Sequence, residues 1–211
     1  MPKCKRRLPV DLVATFAATG ALTATAVAAP VDGDDGPNRL KGTPEADVIQ
    51  GFGGDDRVLS FAGDDRVLLG SGNDRTLMGP GDDDAAGGPG DDRLFRGLGN
   101  DTLTGDVSDA GDRDSGDRLQ GGPGADTLTG GDARDVLRGG ADGDTIFGQS
   151  GNDRILGGFG NDTSDGGEDD DRMAGGPGDD SQTGGPGNDR IFANRGRDVT
   201  DGGEGGDACG R

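Results

Sequence analysis

The nine residues Gly87-Gly88-Pro89-Gly90-Asp91-Asp92-Arg93-Leu94-Phe95 recur almost unchanged as Gly184-Gly185-Pro186-Gly187-Asn188-Asp189-Arg190-Ile191-Phe192. From Gly42 onward the chain divides into eighteen such units. Self-similarity at a fixed period indicates a repeat architecture. Aspartate fills the sixth position of every unit, at Asp47, Asp56, Asp65, Asp74, Asp83, Asp92, Asp101, Asp117, Asp126, Asp135, Asp144, Asp153, Asp162, Asp171, Asp180, Asp189, Asp198 and Asp207.

The spacing of these aspartates is interrupted once. Neighbouring members are nine residues apart, except Asp101 and Asp117, which are sixteen apart because the turn between them contains seven extra residues. The nine-residue register resumes after Asp117. We therefore expect a single repeat domain over residues 42–211 with one longer turn at residues 105–117.

Each unit combines a glycine-rich turn with a short strand. Glycines at positions one, two and four permit a left-handed backbone and close approach of neighbouring chains. Positions seven to nine form a three-residue strand, and its alternation directs only the eighth side chain inward. Two units make one coil, and coils stack at the strand spacing of about 4.8 Å. The pattern predicts an all-β fold, a right-handed parallel β-roll, which is a β-solenoid of stacked nonapeptide coils.

Stacking of the coils predicts oxygen-rich sites between them. It places Asp65 over Asp83 and Asp83 over Asp101, and these like charges repel one another without a cation. Ca²⁺ binds six to eight oxygens at about 2.3–2.6 Å, a demand that carboxylates and turn carbonyls together can meet. Mg²⁺ requires a smaller octahedral site, and Zn²⁺ prefers His and Cys ligands, whereas this sequence has no His.

The units resemble the RTX (repeats-in-toxin) nonapeptide family of haemolysin-type calcium-binding repeats, whose motif is G-G-x-G-x-D-x-U-x. The resemblance implies that several Ca²⁺ ions are bound by position-six carboxylates and glycine carbonyls. The implied carboxylate ligands are Asp47, Asp56, Asp65, Asp74, Asp83, Asp92, Asp101, Asp126, Asp135, Asp144, Asp153, Asp162, Asp171, Asp180, Asp189 and Asp198. The implied carbonyl ligands are Gly54, Gly63, Gly72, Gly81, Gly90, Gly99, Gly124, Gly151, Gly160, Gly178 and Gly187.

Departures from the motif predict poorer sites. The long turn puts in question the pairing of Asp117 with Asp92 and Asp135. Position four is not glycine in five units, so their turns are expected to be strained or to compete for the ion. These positions are Glu45, Ser115, Ala133, Asp142 and Asp169.

The inward eighth position is apolar in most units, at Ile49, Val58, Val67, Leu94, Leu103, Leu119, Leu128, Leu137, Ile146, Ile155, Met173 and Ile191. Smaller or polar residues occupy it elsewhere, at Thr76, Ala85, Ser164, Gln182, Thr200 and Cys209. Ser164, Gln182 and Thr200 fall in alternate units, so they are expected to form one polar wall inside the C-terminal coils. That end is predicted to be the softest part of the roll.

The remaining positions are expected to face solvent. Position-five acids such as Asp55, Asp64, Asp82 and Asp179 are predicted to point outward, as are the position-nine aromatics Phe95, Phe147 and Phe192. Position-seven arginines, among them Arg57, Arg66, Arg93 and Arg154, are interpreted as counter-charges on the outer faces. Cys209 is expected to be a small buried hydrophobe, with thiol-mediated dimerisation left open.

The composition sets strong limits on function. The chain has 211 residues, a formal net charge of −20 and a pI of about 4.1, which disfavours a nucleic-acid partner. Only 28% of the residues are hydrophobic, which is too little for an ordinary core and, taken alone, is typical of a disordered chain. A folded state therefore requires another source of free energy, and bound divalent cations are the expected one.

The N-terminal segment resembles a secretory signal peptide over residues 1–28. A basic cluster at Lys3, Lys5, Arg6 and Arg7 precedes an uncharged stretch that ends at Ala28. An uncleaved membrane anchor is the alternative, but the stretch is short and weakly apolar. Cleavage leaves no membrane span, a flexible leader at residues 29–41, and a secreted chain in which Cys209 is the remaining cysteine. The eighteen arginines against three lysines are typical of a bacterial sequence.

An enzymatic function is disfavoured. The repeats occupy everything after Gly42, no His is present, and neither H-E-x-x-H nor G-x-S-x-G occurs. We therefore expect an extracellular, non-catalytic calcium-binding protein with a structural or surface-associated role. The alternatives are a calcium-dependent adhesive module that binds the cell envelope or cell wall, and the non-catalytic part of a secreted enzyme or toxin.

Overall fold

Two parallel sheets of ten strands each form the fold. The computed structural model describes residues 30–106 and 116–210. Sheet 1 contains, in spatial order, β1 (Val31–Asp32), β3 (Val48–Gln50), β5 (Arg66–Leu68), β7 (Asp84–Ala86), β9 (Thr102–Thr104), β11 (Thr127–Gly131), β13 (Thr145–Ser150), β15 (Thr163–Glu168), β17 (Ser181–Gly187) and β19 (Val199–Gly205). Sheet 2 contains β2 (Arg39–Lys41), β4 (Arg57–Phe61), β6 (Arg75–Met78), β8 (Arg93–Phe95), β10 (Arg118–Pro123), β12 (Val136–Ala141), β14 (Arg154–Phe159), β16 (Arg172–Pro177), β18 (Arg190–Arg195) and β20 (Ala208–Gly210).

The chain alternates between the two sheets, so each coil contributes one strand to each sheet. Strands of one sheet pair with a register of eighteen residues, as in Leu128 opposite Ile146. The predicted β-roll of two units per coil is therefore confirmed. No helix occurs within the described ranges, and so none there is long and apolar enough to cross a membrane.

The long turn leaves the register of the flanking strands intact. Leu119 pairs with Leu94 and Leu128 with Leu103, each across 25 residues of chain instead of eighteen. Residues 107–115 of this turn lie outside the described residues, as does the predicted signal peptide at residues 1–28.

The roll begins before Gly42, within the segment expected to be a flexible leader. Val31 in β1 pairs with Ile49, and Leu40 in β2 pairs with Val58. Leu40 is buried in the core. The physical reason is that residues 33–41 form a degenerate unit with Asn38 at position six, and the Asn38 backbone N–H donates to Asp56 Oδ1 at 2.7 Å. The leader is therefore shorter than residues 29–41.

Eighth-position side chains form the core, as the repeat predicts. The large apolar members from Ile49 to Ile191 are all buried in one hydrophobic cluster. The expectation that only the eighth side chain points inward is wrong, because position one also faces the interior wherever it carries a side chain. Leu69 and Met78 are buried at position one, in the same units as the small eighth-position residues Thr76 and Ala85. They therefore add apolar volume where the eighth position supplies little.

The C-terminal coils contain the predicted polar wall. Ser164, Gln182 and Thr200 lie opposite one another in β15, β17 and β19. Ser164 and Gln182 are buried, and neither the amide nitrogen nor the amide oxygen of Gln182 has a hydrogen-bond partner among the described residues. Thr200 is partly exposed, and Cys209, which lies in the edge strand β20 of the described sheet, is exposed instead of buried.

Most described turns have a positive φ at position four, with Glu45 and Gly187 as exceptions. Gly99 has φ of 135°, and the carbonyl oxygen of Gly81 in the preceding coil lies 2.0 Å from where a Cβ on Gly99 would be. Three of the non-glycine residues at this position, Ala133, Asp142 and Asp169, have φ between 76° and 80°. Such conformations are strained for residues with a Cβ, which confirms the expectation for these turns.

Candidate calcium sites

The position-six aspartates point into the roll. They follow the last turn residue and precede the first strand residue, so strand alternation places them on the same side as the eighth position. Every one from Asp47 to Asp189 is buried, with at most 3% of its surface exposed. Asp198 and Asp207 are partly exposed in the last coil. The interior of the roll thus contains two rows of carboxylates, one along each sheet.

One oxygen of each carboxylate joins two coils. The backbone N–H of Asp65 donates to Asp83 Oδ1 at 2.9 Å, and the N–H of Asp83 donates to Asp101 Oδ1 at 2.8 Å. The predicted stacking of these three residues is confirmed. The same bond repeats through the roll as far as Asp189 and Asp207, so Asp207 belongs to the row as well.

Asp117 takes a full place in its row, contrary to the expectation drawn from the long turn. Its Oδ1 accepts from the N–H of Asp92 at 2.8 Å, and its own N–H donates to Asp135 Oδ1 at 2.7 Å. The seven extra residues precede Asp117 in the sequence, and its carboxylate keeps the same place as the other members of the row. Asp117 therefore has the geometry of the residues proposed as ligands, although the implied ligand set omits it.

The second carboxylate oxygen has no partner. Oδ2 is buried without a hydrogen bond in fifteen of these aspartates: Asp56, Asp65, Asp74, Asp83, Asp92, Asp101, Asp117, Asp126, Asp135, Asp144, Asp153, Asp162, Asp171, Asp180 and Asp189. A buried ionised oxygen without a partner is costly, because it has lost its hydration and gained nothing in return. The rows are therefore lined with acceptors that fit a positively charged ligand.

Position-one glycines leave the space that these oxygens occupy. A Cβ on Gly166 would lie 2.3 Å from Asp171 Oδ2 and 2.6 Å from the carbonyl oxygen of Gly184 in the next coil. A carboxylate oxygen and a backbone carbonyl oxygen thus flank the same small space. The same pair recurs at Gly130, with Asp135 Oδ2 at 2.3 Å and Gly148 O at 2.8 Å. Position-one carbonyls are therefore candidate ligands that the sequence prediction missed.

The donor set fits Ca²⁺ only if backbone oxygens complete it. Among the described residues, no three His, Cys, Asp or Glu side chains converge closely enough to hold a metal ion. Carboxylates and carbonyls are the ligands that Ca²⁺ prefers. The position-four carbonyls of Gly54, Gly63 and Gly72 accept no bond from the backbone N–H groups of the described turns. Their predicted role, and that of the other glycines named above, stays a prediction.

Burial changes the protonation of the rows. Desolvation raises the pKa of Asp74 and Asp126 to about 6, of Asp92 and Asp153 to about 8, and of Asp117 to about 9. The backbone N–H that each carboxylate accepts lowers its pKa but does not offset the loss of water. Without a cation, protons are therefore the competing means of neutralising the rows.

Arg96 supplies a fixed positive charge inside the roll. It stands at position one of its unit, where most units have glycine, and it is buried. Its Nη1 lies 3.4 Å from Asp101 Oδ1, and Nη2 donates to the carbonyl oxygen of Thr102. Its charge also acts to lower the pKa of Asp83 and Asp126, the neighbours of Asp101 in the same row. The sequence feature that could have revealed this buried cation is a charged residue at position one, which is glycine in most units.

Position-five side chains form a separate ladder on the outside. Asp55, Asp64, Asp82 and Asp179 are exposed, as predicted. Asp64 Oδ1 accepts from the N–H of Asp82 at 3.0 Å, and Asp82 Oδ1 accepts from the N–H of Asn100 at 2.8 Å. These acceptors serve the following coil, whereas position-six acceptors serve the preceding coil. Asn73 and Asn100 fill the same role without a charge.

Comparison with known families supports the same interpretation. No curated protein matches the chain at a significant level. The family model of the RTX calcium-binding nonapeptide repeat (4 copies) matches overlapping segments at residues 32–60, 60–75, 79–107, 113–146, 130–164, 139–173, 147–182 and 174–208. These segments cover nearly all of the described roll, including the unit that precedes Gly42. With its nonapeptide period, its two-sheet roll and its rows of inward aspartates, the chain belongs to the RTX calcium-binding nonapeptide repeat family.

Proposed function

We propose that this protein is a calcium-binding repeat protein that folds when several Ca²⁺ ions bind between its stacked turns. The observation that carries the proposal is the row of buried Oδ2 atoms without partners. Calcium, when bound, supplies the positive charge that these oxygens lack. Because the apolar core is one side chain wide in most units, ion binding contributes much of the folding free energy.

The two oxygens of each position-six carboxylate have separate roles. Oδ1 holds the preceding coil through its backbone N–H, as in Asp83 and Asp65. Oδ2 of the same residue is left for the ion, together with backbone carbonyl oxygens of the neighbouring coil. Binding at one level therefore fixes the strands of the next, and we expect ions to bind cooperatively along each row.

We propose further that the protein acts outside the cell, in a structural or surface-associated and non-catalytic role. The basic cluster and uncharged stretch at residues 1–28 support export. Extracellular calcium-binding modules have weak sites, with Kd on the order of 10⁻⁴ to 10⁻³ M, which are filled at millimolar calcium. Calcium-dependent binding to the cell envelope is a second candidate, favoured by a row of exposed arginines on sheet 2.

Far-ultraviolet circular dichroism of the purified chain tests the calcium proposal. We expect an unfolded spectrum with a chelator at neutral pH and a strand-rich spectrum in millimolar calcium. The same concentration of Mg²⁺ serves as control and should induce much less structure, because Mg²⁺ requires a smaller octahedral site. Equal strand content with chelator and with calcium would overturn the proposal.

A further inference from the structure

Sheet 2 carries on its outer face a column of arginines that Val136 interrupts once. Position seven of consecutive strands is Arg39, Arg57, Arg75, Arg93, Arg118, Val136, Arg154, Arg172 and Arg190, each directly opposite the next. All eight arginines are exposed. Eight strand spacings of about 4.8 Å give the column a length of roughly 38 Å. We refer to these eight residues as the arginine ladder.

The ladder is confined to one face. On sheet 2, positions seven and nine of the described strands also include Lys41 and Arg138 but no Asp or Glu. The same positions of sheet 1 carry Thr102, Thr127, Thr145 and Thr163, and the acids of that face include Asp84 and Asp165. A protein with a net charge of −20 thus gathers ten of its 21 basic residues on one face.

No ladder arginine forms an ion pair within 4.0 Å among the described residues, although Arg172 and Arg190 act as longer-range counter-charges that help to lower the pKa of exposed Asp170. One ion pair within 4.0 Å occurs there, between Arg96 and Asp101, and it lies inside the roll. Arg75 lies over the ring of Phe95, with its guanidinium carbon 5.4 Å from the ring centre. Eight like charges in register repel one another. The acids of the adjacent turn offset part of this repulsion, and a linear ligand of opposite charge would offset more of it.

An apolar column runs beside the ladder. Position nine of sheet 2 includes Leu59, Leu77, Phe95, Leu156 and Phe192, of which Leu77 and Phe192 are about half exposed. A groove of about 370 Å³ crosses both columns where Val136 and Ala174 are small, and its walls include Arg138, Arg154 and Arg172. The face therefore offers cations and apolar contacts side by side along one line.

We infer that the outer face of sheet 2 binds a linear anionic polysaccharide with one carboxylate per sugar. The ladder would pair with successive carboxylates, and the apolar column would contact the nonpolar faces of the sugar rings. Arginine suits this role because its planar guanidinium bonds a carboxylate in bidentate fashion. The polymer would lie along the axis of the roll, across the strands.

The shape of the face favours a single thin chain over a broad anionic surface. The ladder is one side chain wide with the apolar column beside it, and the adjacent turn carries exposed acids at Asp55, Asp91 and Asp170. A bilayer or a nucleic-acid duplex would bring its own charges against these acids. Single-stranded nucleic acid binds by stacking successive bases on aromatic rings, whereas the two aromatic residues of the column, Phe95 and Phe192, lie five strands apart with residues such as Leu156 and Ala174 between them. Polyphosphate has no apolar face to contact the leucines.

The test uses fluorescence anisotropy with an end-labelled oligogalacturonate of about ten sugars. This oligomer is long enough to follow most of the ladder, whose strands are spaced about 4.8 Å apart. The protein is kept folded in saturating calcium, and circular dichroism checks the fold of each variant. The ladder variants are Arg154→Gln with Arg172→Gln, and Arg57→Gln with Arg75→Gln. Arg195→Gln with Arg197→Gln is the matched control, because it removes the same charge from exposed residues at the end of β18 and in the following turn, outside the ladder.

Each ladder pair should weaken binding about tenfold, and the control pair less than twofold. Binding should also weaken as salt is added. Absence of binding by the natural chain, or equal loss in ladder and control variants, would overturn the inference. Tighter binding of single-stranded DNA, polyphosphate or phosphatidylglycerol vesicles would overturn it in favour of that ligand. If the natural chain showed no strand-rich spectrum in calcium, that result would count against the proposed function and not against the polysaccharide site. The failure of either proposal can therefore be recognised separately.

Discussion

Arg96 and Asp101 form an ion pair inside the roll, with Nη1 3.4 Å from Oδ1 and both side chains fully buried. The guanidinium lies in the row of Asp83, Asp101 and Asp126, where its charge provides part of the neutralisation that we propose calcium provides elsewhere. A buried pair that loses one member leaves an uncompensated charge, at a cost of about 3–5 kcal/mol. The coils around Asp101 should therefore depend less on calcium than the others.

Arg96→Gln should make the whole chain depend more on calcium. The substitution removes the internal cation, so the calcium midpoint of folding, measured by circular dichroism, should rise. Arg93→Gln is the matched control, because Arg93 is exposed and lies one unit before Asp101, in the opposite sheet, and the midpoint of this variant should change little. An unchanged midpoint in the Arg96 variant would show that Arg96 does not help to neutralise the row.

Asp83→Asn should remove a calcium ligand, whereas Asp82→Asn should not. Each substitution removes one negative charge, and the two residues are adjacent in the sequence. Asp83 is buried in a row of position-six carboxylates, whereas Asp82 is exposed among the position-five side chains. Asn at position 83 keeps the acceptor for the Asp65 N–H and loses Oδ2. We therefore expect a lower calcium stoichiometry and a higher midpoint, by calorimetry, for Asp83→Asn alone.

The control in this pair is well defined by the structure. Asn73 and Asn100 already fill the place of Asp82 in neighbouring coils, so the outer hydrogen bond survives the change. Without calcium, Asp83→Asn should raise strand content, because it removes a buried charge. Equal effects of the two substitutions on stoichiometry would mean that the acids act only as a diffuse polyanion.

Acid should fold the calcium-free chain. The folded-state pKa values of about 6 to about 9 at Asp74, Asp83, Asp92 and Asp117 lie above the value of about 3.9 in an unfolded chain. Groups with a raised folded-state pKa stabilise the fold below the unfolded pKa, and this stability is lost as pH rises through the folded pKa. Strand content without calcium should therefore increase as pH falls from about 9 towards 4.

The calcium affinity should depend on pH in the opposite direction to the strand content of the calcium-free chain. Ions must displace protons from the same carboxylates, so the calcium affinity should fall as the pH is lowered below about 8. Circular dichroism in calcium-free buffer, with sedimentation to exclude aggregation near the pI, measures the first effect, and calorimetry the second. Strand content that stays flat or falls on acidification would contradict the assigned burial of the rows.

Gln182→Leu should stabilise the C-terminal coils. The substitution removes two buried amide atoms that lack partners, and each such group costs about 1–3 kcal/mol. In saturating calcium, hydrogen exchange after residue 160 should be faster than between Asp117 and Ile155 in the natural chain. The variant should slow exchange in β15, β17 and β19. Gln120→Leu, on an exposed position of β10, is the control and should leave exchange unchanged.

Much of the fold follows from the nine-residue period. The invariant spacing of position six determines which coils are neighbours, and therefore the Asp65, Asp83 and Asp101 stack and the eighth-position core. Strand alternation then accounts for the outward positions of Asp82 and Phe192. These features depend on backbone geometry that every unit shares, so they can be derived without knowing any tertiary contact.

Features of single units were harder to predict. Asn38 replaces the aspartate that marks a unit, which hid the first coil within the expected leader. Glycine at position one has no side chain to bury, so the inward direction of that position shows only at exceptions such as Leu69 and Arg96. Cys209 fits the core pattern, but burial needs a covering coil, and no further described strand follows β20. The direction of Oδ2 depends on carbonyls of the next coil, which no local pattern reveals.

The bond between Asp92 and Asp117 has the same 2.8 Å length as bonds that span eighteen residues, although it spans 25. The length of the turn before Asp117 therefore does not change how the coils on either side stack. A peptide or small domain grafted between Asp106 and Gly116 should be displayed at the side of the rod without a change in the coils on either side. Under the proposed calcium-dependent folding, such a graft would be presented or withdrawn by adding or removing the ion.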